Sequence, residues 1–209
     1  MAQRHQNKYA RHENDFYETP DWITEVLIHE MGFRPPAFVT MLDPCAGNHK
    51  IANVFKKHGV NTMTNDIVEY GHPNNWNEDF LSPESEETEL GWAIQDVVVM
   101  NPPYGHAGRL ARQFVEQALR VNRHWVAALL TATFDSGSSR RHLFADNPRF
   151  SQKIVLLDRP SWLDNGTAGS VDFAWFIWRP EVGTTNMNPI ITYRENPEKR
   201  RMRLMKKSR

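Results

Sequence analysis

The 209-residue chain has a single cysteine, Cys45, so it forms no internal disulfide and offers no cysteine-rich metal cluster. A reducing, cytoplasmic setting is the expectation that follows. No apolar run reaches the roughly 18 residues of a membrane span, and the first residues lack the apolar stretch of a signal peptide. The nine histidines show no i, i+4 pair of the kind that holds a metal on a helix, so no metal is expected. Net charge is absent as well: 25 basic residues balance 25 acidic ones, which leaves no global field to draw a polyanion. The distribution is uneven, however. From Lys199 the chain reads KRRMRLMKKSR without an acid, and the first twelve residues carry Arg4, Lys8 and Arg11, again without an acid. Such ends either neutralise phosphates or fray into solvent, and both readings stand.

There is no internal repeat, and 40% hydrophobic with 24% charged residues is the balance of a chain that folds around its own core. The length suits one large domain. The organisation expected is a basic N-terminal stretch over 1–14, a catalytic domain over 15–180 and an extension with a basic tail over 181–209. Strand-like apolar runs occur at Val39–Leu42, Thr62–Thr64, Asp96–Met100, Trp125–Thr131, Ile154–Leu157 and Val171–Trp178, each bounded by Gly, Pro, Asn or Asp. Helical periodicity lies between them. Ile23, Val26, Leu27 and Met31 share a face behind Pro20, and Leu110, Phe114, Val115 and Leu119 share another. The alternation predicts a Rossmann-like α/β fold, a mostly parallel sheet with helices on both faces. No helical pattern separates the last two strands, which predicts a C-terminal antiparallel hairpin at the sheet edge. The acidic stretch 82–90, SPESEETEL, reads as a surface loop.

Two segments carry chemistry. In LDPCAGNHKIANVF, a strand passes through Asp43-Pro44-Cys45-Ala46-Gly47 into a helix. Gly47 permits close backbone approach to a ligand, the helix start offers unpaired N–H groups to a carboxylate, and Asp43 can receive a cationic amine. Asp66 ends the next strand about twenty residues after the glycine turn, where an acid in nucleotide-binding sheets holds ribose hydroxyls. Asp79 and Phe80 then suit a purine, one as acceptor for its amino group and the other as a cover for the ring.

The sharper signal is DVVVMNPPYG. Pro103 restricts Pro102, and Pro102 restricts Asn101, so the strand end is held extended. The prolines have no N–H, so the turn presents carbonyl oxygens without competing donors. An amino group meeting it finds two acceptors, the Asn101 side-chain oxygen and the Pro102 carbonyl, with Tyr104 as a stacking surface. Two acceptors favour a tetrahedral nitrogen whose lone pair is freed from the ring it is attached to.

With these residues assembled, the chain resembles the amino-group DNA methyltransferases of the N6-adenine, NPPY type. DFYETP (Asp15–Pro20) is similar to the family's N-terminal FxTP segment, DPCAG to its first cofactor motif and NPPY to its catalytic tetrapeptide; Ile154–Trp178 is similar to its terminal hairpin. The resemblance implies S-adenosylmethionine as cofactor. It also implies that Thr19, Pro20, Asp43, Pro44, Ala46 and Gly47 lie at its methionine end, Asp66 at its ribose and Asp79 with Phe80 at its adenine. Asn101, Pro102, Pro103 and Tyr104 are implied to be catalytic, with Tyr104 and Trp162 against a flipped target base in single- or double-stranded DNA. His49 stands where the family has a second glycine, and a side chain there is expected to crowd the cofactor or redirect the backbone. Other readings remain: a methyltransferase acting on RNA or on a protein glutamine amide, and a non-catalytic nucleic-acid-binding protein with a degenerate cofactor site.

Overall fold

The computed structural model describes residues 17–31, 39–83, 86–162, 169–180 and 188–207. Asp15, Phe16, the basic N-terminal stretch and most of the loop after Trp162 lie outside them.

Among the described residues, seven strands form one sheet: β1 (Thr40–Asp43), β2 (Asn61–Thr64), β3 (Val97–Met100), β4 (Trp125–Thr131), β5 (Phe150–Leu156), β6 (Phe173–Trp178) and β7 (Ile190–Arg194). Their order is β2-β1-β3-β4-β6-β5-β7. The first four run parallel, β6 lies antiparallel between β4 and β5, and β7 is parallel to β5. β3 and β6 are buried along their whole length, as their unbroken apolar sequences require of strands covered on both faces.

Among the described residues, five α-helices accompany the sheet: α1 (Asp21–Glu30), α2 (Lys50–Lys57), α3 (Glu86–Ala93), α4 (Arg109–Val121) and α5 (Pro197–Lys207). On one face, Ile23 and Leu27 of α1 and Ile51 and Phe55 of α2 pack against Met41, Val97, Val99, Leu129 and Trp175. On the other, Trp92 of α3 and Phe114, Val115 and Ala118 of α4 pack against Leu42, Val98, Met100, Ala128 and Phe176. Residue alternation along the strands thus divides the core into two apolar layers. The large inserted aromatics are pinned by their polar edges: the Trp175 indole donates to the Ile23 carbonyl at 2.9 Å and the Trp178 indole to Leu143 at 2.7 Å. Arg149, nearly buried, donates to the carbonyls of Leu119, Asn122, His124 and Arg179, tying the end of α4 to the strands beside it.

The Rossmann-like architecture is as expected, with two corrections. The antiparallel hairpin is not at the edge, because β7 adds outside β5. The acidic stretch is not all loop: residues from Glu86 form α3, with Glu86, Glu87 and Glu89 in its first turn, where the helix dipole favours acids, and Trp92 fully buried. No helix among the described residues is long and apolar enough to cross a membrane.

Candidate active site

The parallel strands carry their carboxyl ends to one rim, and there the ends of β1 and β3 border a cavity of about 470 Å³, a size suited to a small-molecule ligand. Thr19, Asp43, Pro44, Ala46, Gly47, Asp66, Asp79, Phe80, Asn101 and Pro103 line it. Pro20, Pro102, Tyr104 and Trp162 are not in its wall. Pro20 precedes the first turn of α1, and Pro102 is buried.

The turn from β1 into α2 is built around a carboxylate. Asp66 accepts the Gly47 N–H at 2.9 Å on one oxygen and the Val68 N–H at 3.1 Å on the other. Gly47 itself has φ of 48°, the left-handed region that favours glycine. His49 also takes left-handed geometry, φ 58° and ψ 24°, and is the residue that makes the second bend. Its ring turns away from the cavity and meets the Asn74 Oδ1 at 2.8 Å, so the backbone redirection is accommodated and the cavity is not filled. Asn65 completes the frame. Fully buried, it donates to the carbonyls of Pro44 and Glu78 and accepts the Glu78 N–H, fastening the Asp79–Phe80 segment to the glycine turn. Phe80 is 1% exposed and packs on Trp92 and Phe114, while the Asp79 carboxylate, at the mouth, accepts the Leu81 N–H.

The charges are unusual. Burial, opposed by an N–H from Cys45 and reinforced by the nearby Asp66 charge, pushes the Asp43 carboxyl up to about 8. Burial also raises Asp66, against the three backbone N–H groups aimed at it and His49. Two acids confined beside one cavity favour a cationic occupant, since a cation returns the stabilisation that desolvation removes. Cys45, also lining the cavity, is pushed well above its usual thiol value by burial and by both acids, which favours the thiol over the thiolate.

Asn101 sits at the junction of cavity and rim. Its amide nitrogen donates to the Tyr17 carbonyl at 3.3 Å and to the Thr19 hydroxyl at 3.1 Å. Both amide protons are thereby committed, which turns the carbonyl oxygen the other way. The Tyr104 hydroxyl lies 3.5 Å from that oxygen but 2.8 Å from the Leu129 carbonyl, where its one proton goes. The Asn101 oxygen retains acceptor capacity. Tyr104 meets Phe173 edge-on, Phe173 meets Trp162 edge-on, and Trp162 lies tilted at 60° against Tyr17, forming an aromatic row that starts at Tyr104.

Tyr17 and Glu18 line the cavity within the DFYETP segment, whereas Asn48, Lys50, Ile67 and Tyr70 escaped the sequence reading. Glu18 accepts from Asn48 Nδ2 at 2.5 Å and lies 3.7 Å from the Lys50 ammonium, so the segment before α1 is clasped to the glycine turn. Ile67 is 62% exposed yet apolar, directly after the strand-end acid, and that pairing was the available signal.

No protein-family model matches the chain, and no curated protein is similar to it in sequence. Solved structures are similar in fold. A protein from Listeria monocytogenes named as a class I S-adenosylmethionine-dependent methyltransferase superimposes with a TM-score of 0.64 at 14% identity, over 95% of this chain and 73% of that one. The M protein of the type I restriction enzyme EcoKI gives 0.57 at 13% identity, over 85% of this chain and 48% of its own. A protein from Pyrococcus horikoshii named as an RNA methyltransferase gives 0.60 at 13%, over 84% and 91%. The likeness establishes the fold; the chain spans about half the length of the restriction-enzyme subunit.

Proposed function

We propose that the chain is an S-adenosylmethionine-dependent methyltransferase that modifies the exocyclic N6 amino group of adenine in DNA. The observation that carries this reading is the orientation of Asn101: both amide protons are spent on Tyr17 and Thr19, so its oxygen is left to accept from a substrate N–H.

The cavity residues fit the cofactor. Asp43, whose carboxyl burial raises to about 8, suits the amine of the methionine end, and the N–H groups at the start of α2 suit its carboxylate. Asp66 suits ribose hydroxyls, and Asp79 with buried Phe80 suits the adenine. When bound, S-adenosylmethionine supplies an electrophilic methyl group carried on sulfur. The chain's own part is to prepare the acceptor. The Asn101 oxygen and the Pro102 carbonyl hold the two amino hydrogens, which draws the nitrogen toward tetrahedral geometry and stabilises the positive charge it acquires. The methylated nitrogen then gives up one proton to water. Delivery of a duplex base to this point requires flipping, at a cost of a few kcal/mol, and stacking on Tyr104 returns roughly 1–3 kcal/mol. Trp162, held edge-on by Phe173, is the aromatic assigned to the other face of the base.

The restriction-modification likeness and the basic ends of the sequence favour DNA. RNA is the second reading, favoured by the likeness to the Pyrococcus protein. Binding without catalysis loses its motive, since the His49 ring leaves the cavity open. Incubation with methyl-labelled cofactor and DNA, RNA or protein in parallel tests the reading. Label in DNA is expected; label confined to RNA supports the second reading, and label confined to protein overturns both.

A further inference from the structure

β7 runs parallel to β5 and hence in the same sense as β1 and β3, because two antiparallel pairings separate β5 from β4. Its carboxyl end therefore opens on the rim that carries Asp43 and Asn101, and α5 starts three residues beyond it. Six of the eleven α5 residues are basic and one is acidic, and every one is solvent-exposed. The Lys199 ammonium is tied to Asp158 at 3.1 Å and Arg200 to Glu195 at 3.5 Å, with Arg203 also on Glu195. These pairs fix the first two turns against the rim. Among the described residues, Arg201, Lys206 and Lys207 have no acid partner. A helix with no buried face gains little from its own chain. Its unpaired cations ask for an anionic partner.

We infer that α5 is a phosphate-anchoring arm that grips the nucleic acid about 20 Å to one side of the base presented to Asn101. The distance follows from the sheet: four strand steps separate β3 from β7, each of about 4.8 Å. At 3.4 Å per base pair, that is roughly six base pairs of duplex. Between the two points, Arg140 lies in the short helical turn Ser138–Leu143 after β4, and Arg159, paired with Asp172, follows β5; both strands end on the same rim. The exposed Met202, Leu204 and Met205 occupy the rest of the helix surface, and the preponderance of charge selects a polyanion over an apolar partner. The inference rests on the nucleic-acid reading above.

The test is binding of a fluorescent 24-base-pair duplex by the full chain and by Arg201→Gln/Lys206→Gln/Lys207→Gln, across a salt series. Losing three phosphate contacts is expected to reduce the slope of log K against log salt by about two to three and weaken binding at least tenfold at 0.1 M salt. Calorimetry with S-adenosylmethionine confirms that the variant's cavity is intact. Wild-type protein is further expected to bind a duplex with eight pairs on each side of the target adenine better than one with three, and the variant to lose that preference. An unchanged slope overturns the inference. So does uptake of the helix by phosphatidylserine vesicles, or by a second copy in sedimentation, with duplex binding unaffected. Failure is separable from failure of the proposed function: if DNA is methylated but the slope is unchanged, only the arm falls; if DNA is bound through the arm without being methylated, only the activity falls.

Discussion

Replacing Asp43 by Asn removes the buried acid while keeping its shape. The wild-type carboxyl titrates near 8 in the folded chain and near its ordinary 3.8 when unfolded, so between those values the native state holds a proton that the unfolded state has lost. Native stability therefore falls as pH rises from about 4 to 8 and levels off above. The full shift sets an upper limit of roughly 6 kcal/mol at about 1.4 kcal/mol per unit, and local relaxation brings the expected figure to about 2–4 kcal/mol. The variant escapes this loss. Near pH 4 and below the two proteins are expected to unfold at similar urea concentrations, whereas at pH 8.5 the variant is the more stable by that amount. Cofactor affinity moves the opposite way. Loss of a charge-assisted contact to the amine costs about 1.5–3 kcal/mol, a tenfold to hundredfold weaker Kd by calorimetry. Wild-type affinity strengthens as pH rises toward 8. If the variant's stability tracks wild type at every pH, or its cofactor affinity is undiminished, the assignment of Asp43 is refuted.

Thr19→Val removes one of the two acceptors that fix the Asn101 amide and a hydroxyl from the cavity wall, and is expected to lower kcat about tenfold by steady-state kinetics, with cofactor affinity also weakened in calorimetry. Gly105→Ala places a Cβ 2.8 Å from the Leu110 Cβ at a φ of 60°, and is expected to displace the NPPY turn and lower the melting temperature by several degrees. Arg149→Met leaves four carbonyls without their donor and is expected to destabilise the chain by about 3 kcal/mol or more in urea unfolding, without selective damage to cofactor binding in the surviving folded protein.

Where the chemistry of a segment is local, the sequence displayed it. The unbroken apolar run before Asn101 and the small-residue turn after Asp43 place both at strand ends, and the fold brings them to one cavity. Tyr104 and Trp162 were legible as aromatics near the site, although the structure packs them beside the cavity in a row with Phe173. What stayed hidden depends on distant partners. Asn65 reads as an ordinary turn residue, yet it braces two loops through hydrogen bonds to residues 13 and 21 positions away. Glu18 and Asn48 meet across 30 residues. β7 is five residues long and mostly exposed, with no alternation to announce it, and it exists because the β5 edge offers a ladder. His49 adopts a backbone that its side chain disfavours, sustained by Asn74.

The most direct measurement is mass spectrometry of nucleosides from unmethylated DNA incubated with S-adenosylmethionine and either wild-type protein or Asn101→Ala. Accumulation of N6-methyladenine with wild type, and its reduction by about a hundredfold or more in the variant, is the predicted result. Absence of N6-methyladenine from the wild-type reaction, or equal amounts from both proteins, would contradict the account.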